Sequence, residues 1–366
     1  MMPDNKYRFL IAGGGTGGHI FPAIAVAENI RLLLPGADIL FIGTKHKIEA
    51  EAVPKAGFRF RSIWIKGFAR NFSPENLLFP LKLIVSAIQS LLINMKFKPK
   101  VVIGSGGYVS GPAIWAASVM GAKVMLLEQN SYPGITTRLL EKKAEEIHTC
   151  FEDTKKYLRE KEKIIVSGNP VRVNLNLIDK EEALKSFGLN KKYRVLLILG
   201  GSLGAASINK AIVNCLDRIK LENIQMIWQT GKLYYDQYRD LKNEMIWIGP
   251  FIDNMSAAFS ACDLCISRAG ATTLAEITNL GIPAIFIPSP NVAANHQYFN
   301  ANSLATERAA ILLEDKEIEE NLFDTVTNLI FNEEELSILR LNIKKFAKPN
   351  AASEIAKRAI KLAESL

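Results

Sequence analysis

FLIAGGGTGGHIFPAIAVAENI, residues 9–30, and VLLILGGSLGAASINKAIVNCL, residues 195–216, are one unit written twice. Each is an apolar run, then a glycine-rich turn, then a helical pattern. An apolar strand feeding a helix through glycines is the opening of a doubly wound α/β domain. Two such openings in one chain predict two of these domains.

The stretches between them agree. YRFLIAG (7–13), ADILFIG (37–43), KVVIGSG (100–106), AKVMLLE (122–128), EEIHTC (145–150) and KIIVSG (163–168) read as strands of the first half. YRVLLILGG (193–201), IQMIWQT (224–230), EMIWIG (244–249), DLCISRAG (263–270) and IPAIFIPS (282–289) read as strands of the second. Strands without polar alternation, separated by helical patterns, predict parallel sheets covered on both faces. The boundary is expected near the turn SGNPVR, dividing the chain into residues 1–171 and 172–348. Residues 174–193 are polar enough to be a link and a lead-in helix. The tail 349–366 reads as a helix after Pro349, N-capped by Asn350 and packing back on the first domain.

The 366 residues suit two domains of common size. With 48% hydrophobic and 22% charged residues, the chain reads as globular. A net charge of +8 suits an anionic partner: a nucleotide phosphate, an anionic membrane surface or nucleic acid. No zinc-finger spacing, RNP-type strand or basic arm is present, so nucleic acid is disfavoured. The N-terminal apolar run leads into glycines and reads as a first strand, not a signal peptide. No apolar stretch approaches the roughly 20 residues that span a bilayer. Cys262 and Cys265 form a C-x-x-C, but with no second pair and no histidine nearby in sequence they read as small apolar core residues.

Three loops carry the chemistry. Gly13 to His19 contains a formal G-x-G-x-x-G. A dinucleotide site also wants an acid at the end of the second strand. That place holds Gly43, Thr44 and Lys45, which argues against it. What remains is close approach of backbone amides to an anion or sugar at a helix N-terminus. His19 begins that helix, where it either caps its own turn or serves as a general base. The second loop, Gly104 to Pro112, holds more glycine than a turn requires. The third, Gly200 to Ala205, has no Walker lysine, and Ser202 with the loop amides is placed to hold a phosphate. Further on, Ala271, Thr272, Thr273, Leu274, Ala275 and Glu276 enter a helix. Glu276 is either a dipole-favoured surface acid or a carboxylate for ribose hydroxyls. In Asn295, His296 and Gln297, the amides can read sugar hydroxyls. No Asp-x-Asp occurs, so no metal site is expected, and loop amides and helix dipoles are expected to hold the leaving-group charge.

Taken together and in order, GGTGGHIFPA, GGYVSGP, LEQN, GNPVR, GGSLGA and SRAGATTLAEI resemble the MurG family of UDP-GlcNAc transferases over nearly the whole chain. The resemblance implies a GT-B fold, two Rossmann-like domains facing across a cleft. It implies inverting transfer of GlcNAc from UDP-GlcNAc to the 4-hydroxyl of MurNAc in lipid I, giving lipid II, with no cofactor. By motif, Thr16, Gly17, Gly18 and His19 should border the donor sugar and diphosphate. Asn130 and Arg172 match donor-contacting positions. Ser202 should touch the phosphate, and Ile252 should read uracil through its backbone. Residues 271–276 should hold the nucleoside, with Glu276 on the ribose, and Gln297 should read GlcNAc hydroxyls. His19 is the candidate base or, alternatively, orients the diphosphate. Leu203 and Ser105 depart from the family's usual residues, glutamine and a larger apolar side chain.

Lipid I implies a peripheral protein on the cytoplasmic face of the bacterial inner membrane, with room for cell-wall synthesis partner proteins. In residues 77–100 the stripe Leu81, Ile84, Val85, Ile88, Leu92 and Met95 is expected to face the protein's own sheet. The remaining apolar residues, Leu77, Leu78, Phe79, Leu91 and Ile93, flanked by Lys82, Lys96, Lys98 and Lys100, are left to dock on anionic lipid. The rivals are a UDP-GlcNAc 2-epimerase and a non-catalytic UDP-sugar-binding subunit.

Overall fold

The computed structural model describes residues 7–67, 78–171, 175–201 and 203–365. The chain forms two compact units, Met1–Val173 with Lys348–Leu366, and Asn174–Ala347.

In the first unit the order is β1 (Arg8–Ala12), α1 (Gly17–Leu33), β2 (Asp38–Gly43), α2 (Glu49–Lys55), β3 (Arg59–Ser62), α3 (Phe79–Phe97), β4 (Val101–Gly104), α4 (Ser110–Val119), β5 (Lys123–Glu128), α5 (Ile135–Leu140), β6 (Glu146–Thr149) and β7 (Ile164–Val166). The seven strands are parallel, in the order β3-β2-β1-β4-β5-β6-β7. Successive side chains of β1 go to opposite faces. Phe9 and Ile11 pack under α1, while Leu10 and Ala12 join the core under α4. Both faces are covered, which is why these strands read as unbroken apolar runs.

In the second unit the order is α6 (Lys180–Phe187), β8 (Arg194–Leu199), α7 (Ala206–Leu221), β9 (Ile224–Gln229), α8 (Tyr235–Tyr238), β10 (Ile246–Gly249), α9 (Met255–Ala261), β11 (Leu264–Ser267), α10 (Ala271–Leu280), β12 (Ala284–Phe286), α11 (His296–Ala305), β13 (Ile311–Leu312), α12 (Ile318–Ile330) and α13 (Glu333–Lys344). Its parallel sheet runs β10-β9-β8-β11-β12-β13. Asp179 caps α6, accepting from the amides of Glu181 and Glu182 at 2.9 and 3.1 Å.

The last helix, α14 (Ala351–Glu364), belongs to the first unit, where Ile355, Ala356, Ala359 and Ala363 complete the core over Phe9 and Ile11. Asn350 occupies the N-cap position, but its side chain caps nothing. Arg358 forks onto the Glu146 carboxylate at 2.7 and 2.8 Å, and His148 bonds the same group at 3.1 Å. Burial pushes that carboxyl up, but the hydrogen bonds and charges of His148 and Arg358 outweigh it and hold the group at about 2.

One expectation needs correction, and the edge strands β3 and β13 add to the runs read as strands. β3 reads RFRS, mostly exposed, and offers no apolar run to find. The orientation of α3 is the reverse of the expected one. Leu81, Ile84, Ile88, Leu92 and Met95 point outward, each at least half exposed, and Val85 is half-buried. The face turned inward carries Ser86, Ser90 and Asn94, all fully buried. Small side chains at i, i+4 and i+8 let α3 approach its neighbour closely. Their polar atoms are met partly within the helix: Ser86 Oγ donates to the Leu83 carbonyl at 2.8 Å, and Asn94 Nδ2 to the Ser90 carbonyl at 2.8 Å. Of the residues expected to be left over, Leu78 is exposed, Phe79, Leu91 and Ile93 are half-buried, and Leu77 lies outside the described residues.

Candidate active site

In a doubly wound sheet the strand order reverses where two neighbouring loops leave in opposite directions, and ligands bind there. In the first unit that point lies between β1 and β4, which pair in register, Ala12 beside Gly104. The first and second glycine loops leave from these strand ends. They touch: a Cβ on Gly107, whose φ is +80°, would lie 2.4 Å from the Gly14 carbonyl oxygen. Only glycine permits that approach.

Glu49 secures the first loop from the other side. Its buried carboxylate accepts from Gly15 N at 3.0 Å, Thr44 N at 3.0 Å and Thr44 Oγ1 at 2.6 Å. Thr44, which stands where a dinucleotide site would want an acid, is therefore a donor to a structural carboxylate. Tyr108 packs beside Gly15. Burial, then the charge of Glu49, pushes its phenol above the usual range, so it stays a protonated donor.

His19 does not cap its own helix. Its Nδ1 lies 3.0 Å from Gln129 Oε1, and the Gln129 amide reaches back to Ser105. A Cβ on Gly106 would sit 2.6 Å from His19 Nδ1, so the second loop leaves room for the ring. Thr16 holds the N-cap position of α1 with its hydroxyl uninvolved in capping, and it is exposed beside half-buried Gly17, Gly18 and His19. The LEQN turn is organised by buried Glu128. That carboxylate accepts from Asn130 N at 3.1 Å, Asn130 Nδ2 at 3.3 Å, Gly134 N at 2.9 Å and Thr137 Oγ1 at 2.7 Å. Asn130 is thus held as part of the turn.

In the second unit the corresponding point lies between β8 and β11. The third loop leaves β8. A Cβ on Gly204 would meet the Thr230 carbonyl at 2.2 Å, so this loop lies on the one after β9. Gln229, at the end of β9, ties two loops together. It donates to the Gly201 carbonyl at 3.1 Å and accepts from Ile252 N at 2.9 Å. The N–H of Ile252 is therefore engaged, and the carbonyl is the backbone atom suited to accept from a base edge. The Ile252 side chain is buried.

Residues 271–276 form the first turns of α10. Leu274 turns into the core and offers only its backbone, as do Ala271 and Ala275 for lack of functional groups. Thr273 is half-buried, and Thr272 Oγ1 is buried with no hydrogen-bond partner. Glu276 is 6% exposed, which removes the surface-acid alternative. Gln297 lies in the first turn of α11 and accepts from Ser289 N at 2.9 Å through Oε1, leaving its amide nitrogen as the group that can donate to a hydroxyl. Arg268 braces the loop after β12, donating to the carbonyls of Ile287 and Pro288 at 3.2 Å, to Asp315 Oδ1 at 2.5 Å and to Ser207 Oγ at 2.6 Å. Arg172 and Ser202 lie outside the described residues. Leu203 is exposed and brings no polar group.

Cys262 and Cys265 are buried and unbridged. Burial pushes the Cys262 thiol up to about 12 and that of Cys265 well above its ordinary value, so both are inert core residues. Among the described residues there is no cluster of three or more His, Cys, Asp or Glu side chains arranged to hold a metal ion.

Two parallel-sheet units, each with glycine loops at its switch point, are the GT-B architecture. Family models agree: residues 9–149 match the glycosyltransferase family 28 N-terminal domain and residues 195–358 its C-terminal domain. The chain is 44% identical over 357 residues to the UDP-N-acetylglucosamine–N-acetylmuramyl-(pentapeptide) pyrophosphoryl-undecaprenol N-acetylglucosamine transferase of Christiangramia forsetii, covering 97% of both chains. It is 43% identical to the enzyme of the same name in Flavobacterium psychrophilum, covering 98% of this chain and 99% of that one. The crystal structure of Acinetobacter baumannii MurG superposes with a TM-score of 0.78 at 28% identity, covering 97% of this chain and 99% of that one. The chain belongs to the MurG family. A putative UDP-N-acetylglucosamine 2-epimerase from Listeria monocytogenes, at 12% identity and a TM-score of 0.69 over 97% of this chain and 95% of that one, shares the fold alone.

Sequence reasoning overlooked Gln129, Glu49 and Gln229. Gln129 stands inside LEQN beside Asn130, and nothing local distinguishes the two amides. Glu49 bonds Thr44 of its own loop, but its bond to Gly15 and both bonds of Gln229 reach other loops, which no local pattern marks.

Proposed function

We propose that this chain transfers N-acetylglucosamine from UDP-N-acetylglucosamine to the 4-hydroxyl of the N-acetylmuramyl residue of lipid I, forming lipid II with inversion. The observation that carries this is the near full-length identity to transferases named for that reaction. The loop geometry supports the roles that follow.

The acceptor hydroxyl loses its proton to His19 and attacks the anomeric carbon, and the bond to the UDP oxygen breaks. An oxocarbenium-like transition state is helped most by positioning and by stabilising the departing diphosphate. In the second unit the amides of the third loop and the start of α7 suit that negative charge. The Ile252 carbonyl accepts from uracil, Glu276 takes the ribose hydroxyls and Gln297 Nε2 donates to the sugar. Thr16, Gly17 and Gly18 border the sugar and diphosphate. Asn130, Arg172 and Ser202 complete the donor contacts.

The reading is tested by incubating the protein with labelled UDP-GlcNAc and a short-chain lipid I analogue in the presence of EDTA. Transfer to the analogue is the expected result. Binding of UDP-GlcNAc without transfer would overturn it, and UDP-ManNAc formation would redirect it to an epimerase.

The acceptor is lipid-linked, and the outward apolar face of α3 is suited to reach it. With half-exposed Trp64, whose ring lies under the Lys82 ammonium, and the lysines at 82, 96, 98 and 100 along and just after the helix, it offers an amphipathic surface for the cytoplasmic face of the inner membrane. No described helix is long and apolar enough to cross a membrane. A lysine at an anionic surface contributes about 1 kcal/mol. We expect the protein to float with anionic liposomes, more weakly as salt rises. Ile88→Asp with Leu92→Asp should cut binding at least about tenfold, since charge must then enter the interface. Unchanged flotation of that variant would refute the docking face.

A further inference from the structure

We infer that Gln129 and Ser105 form a positioning relay that sets the proton of neutral His19 on Nδ1 and leaves the Nε2 lone pair for the substrate. This rests on the proposed role of His19 and deepens it.

The argument starts at two backbone carbonyls. Gln129 Nε2 lies 3.3 Å from the Ser105 carbonyl oxygen and 3.4 Å from that of Leu127. Carbonyl oxygens only accept, so the amide nitrogen must be the atom that faces them. A third neighbour agrees. Ser105 Oγ, 3.1 Å from Nε2, donates its single proton to the His19 carbonyl at 2.6 Å. Toward Gln129 that hydroxyl can only accept. Three acceptors therefore determine which way the amide is turned.

The consequence falls on His19. Gln129 Oε1 faces its Nδ1 at 3.0 Å, and an amide oxygen has no proton to give. Nδ1 must carry the hydrogen. A neutral imidazole has only one N–H, so Nε2 holds the lone pair a base requires. The relay is buried where it needs to be rigid: Ser105 is fully buried and Gln129 is 2% exposed. Gly106, which has φ +91° and would otherwise place a Cβ against Nδ1, keeps the contact open. Ser105 is the member that links the second loop to both partners. Unlike a carboxylate, the amide orients the ring without adding charge to the site.

The proton's position can be read without substrate. In the 15N-labelled full chain, long-range 1H–15N correlation distinguishes the two neutral tautomers of each histidine at mildly alkaline pH. The His19 signals are assigned by their loss in His19→Gln. The expected result is the Nδ1–H pattern in the wild type. In Gln129→Met, which keeps the length but removes the amide, the Nε2–H form should appear, and kcat for GlcNAc transfer should fall about 10- to 100-fold. Gln129→Glu should restore Nδ1–H and move the acid limb of the kcat/KM profile upward, because a carboxylate favours the imidazolium. An Nε2–H wild type overturns the relay, whether or not Gln129→Met folds. So does a folded Gln129→Met with the wild-type tautomer. A chain that shows the Nδ1–H pattern yet transfers no sugar keeps the relay and loses the proposed reaction. Transfer with the opposite tautomer does the reverse.

Discussion

His19→Ala should lower kcat for GlcNAc transfer by about 10²- to 10⁴-fold, the usual worth of a positioned general base. The binding of UDP itself should be nearly unchanged, because the groups proposed for uracil and ribose, at Ile252 and Glu276, are unaltered. An interaction made only in the transition state is lost equally from kcat and kcat/KM. The expected signature is therefore a matched fall in both, with KM for donor and acceptor close to wild type. His19 stands at the start of α1, half-buried, with one ring nitrogen held by Gln129. Steady-state kinetics with the lipid I analogue, together with calorimetric titration of UDP, check this. Near-normal turnover would sink the base role. A rise in KM for donor with kcat preserved would instead assign His19 to orienting the diphosphate.

The second large effect is expected at a residue with no functional group. In Gly107→Ala the new methyl would lie 2.4 Å from the Gly14 carbonyl oxygen, at a backbone φ of +80° that disfavours alanine. The first loop has no easy retreat. Space beside Gly14 is filled by the Glu49 carboxylate, which also holds Gly15 N at 3.0 Å. The strain must move one loop relative to the other, and His19 with them. A displacement near 1 Å at a reacting group costs about 10²-fold in rate. We expect kcat/KM to fall by about that much and stability by roughly 1–3 kcal/mol. Gly111→Ala is the control. Nothing lies within 4 Å of a Cβ there, and the residue stands in the first turn of α4, where alanine is at least as good a helix former. That variant should melt at or above the wild-type temperature and keep its activity. Wild-type kinetics in Gly107→Ala would refute the argument that contact between the loops positions the site.

The outward face of α3 shows where reading a sequence by hydrophobicity goes astray. Leu81, Ile84, Ile88, Leu92 and Met95 lie at helical spacing, and for a helix on a sheet such a stripe ordinarily marks the buried side. Ser86, Ser90 and Asn94 are also at helical spacing, on the opposite side, and they are the buried face. The second stripe was visible but ambiguous. Burial of small polar residues depends on local bonds that composition does not reveal: Asn94 Nδ2 donates to the helix's own Ser90 carbonyl, while Asn94 Oδ1 and Ser90 Oγ are buried without a partner.

The strands and glycine loops were legible because their causes are local. An apolar run buried on both faces has no alternation to hide it. A loop that needs positive φ, as at Gly15, Gly106, Gly107, Gly201 and Gly204, writes its need as glycine. Edge strand β3 was not legible, since it owes its place to register with β2 and not to its own composition. By itself, then, the sequence determined two doubly wound units, their switch-point loops and the histidine at the start of α1. Only the tertiary structure decided which side of α3 faces out and which nitrogen of His19 is held. Those outcomes depend on partners distant in the chain: Ser105 is 86 residues from His19, and Gln129 is 110. A ring nitrogen takes its proton according to the atom placed beside it, and local propensity carries no information about an atom that far along the chain.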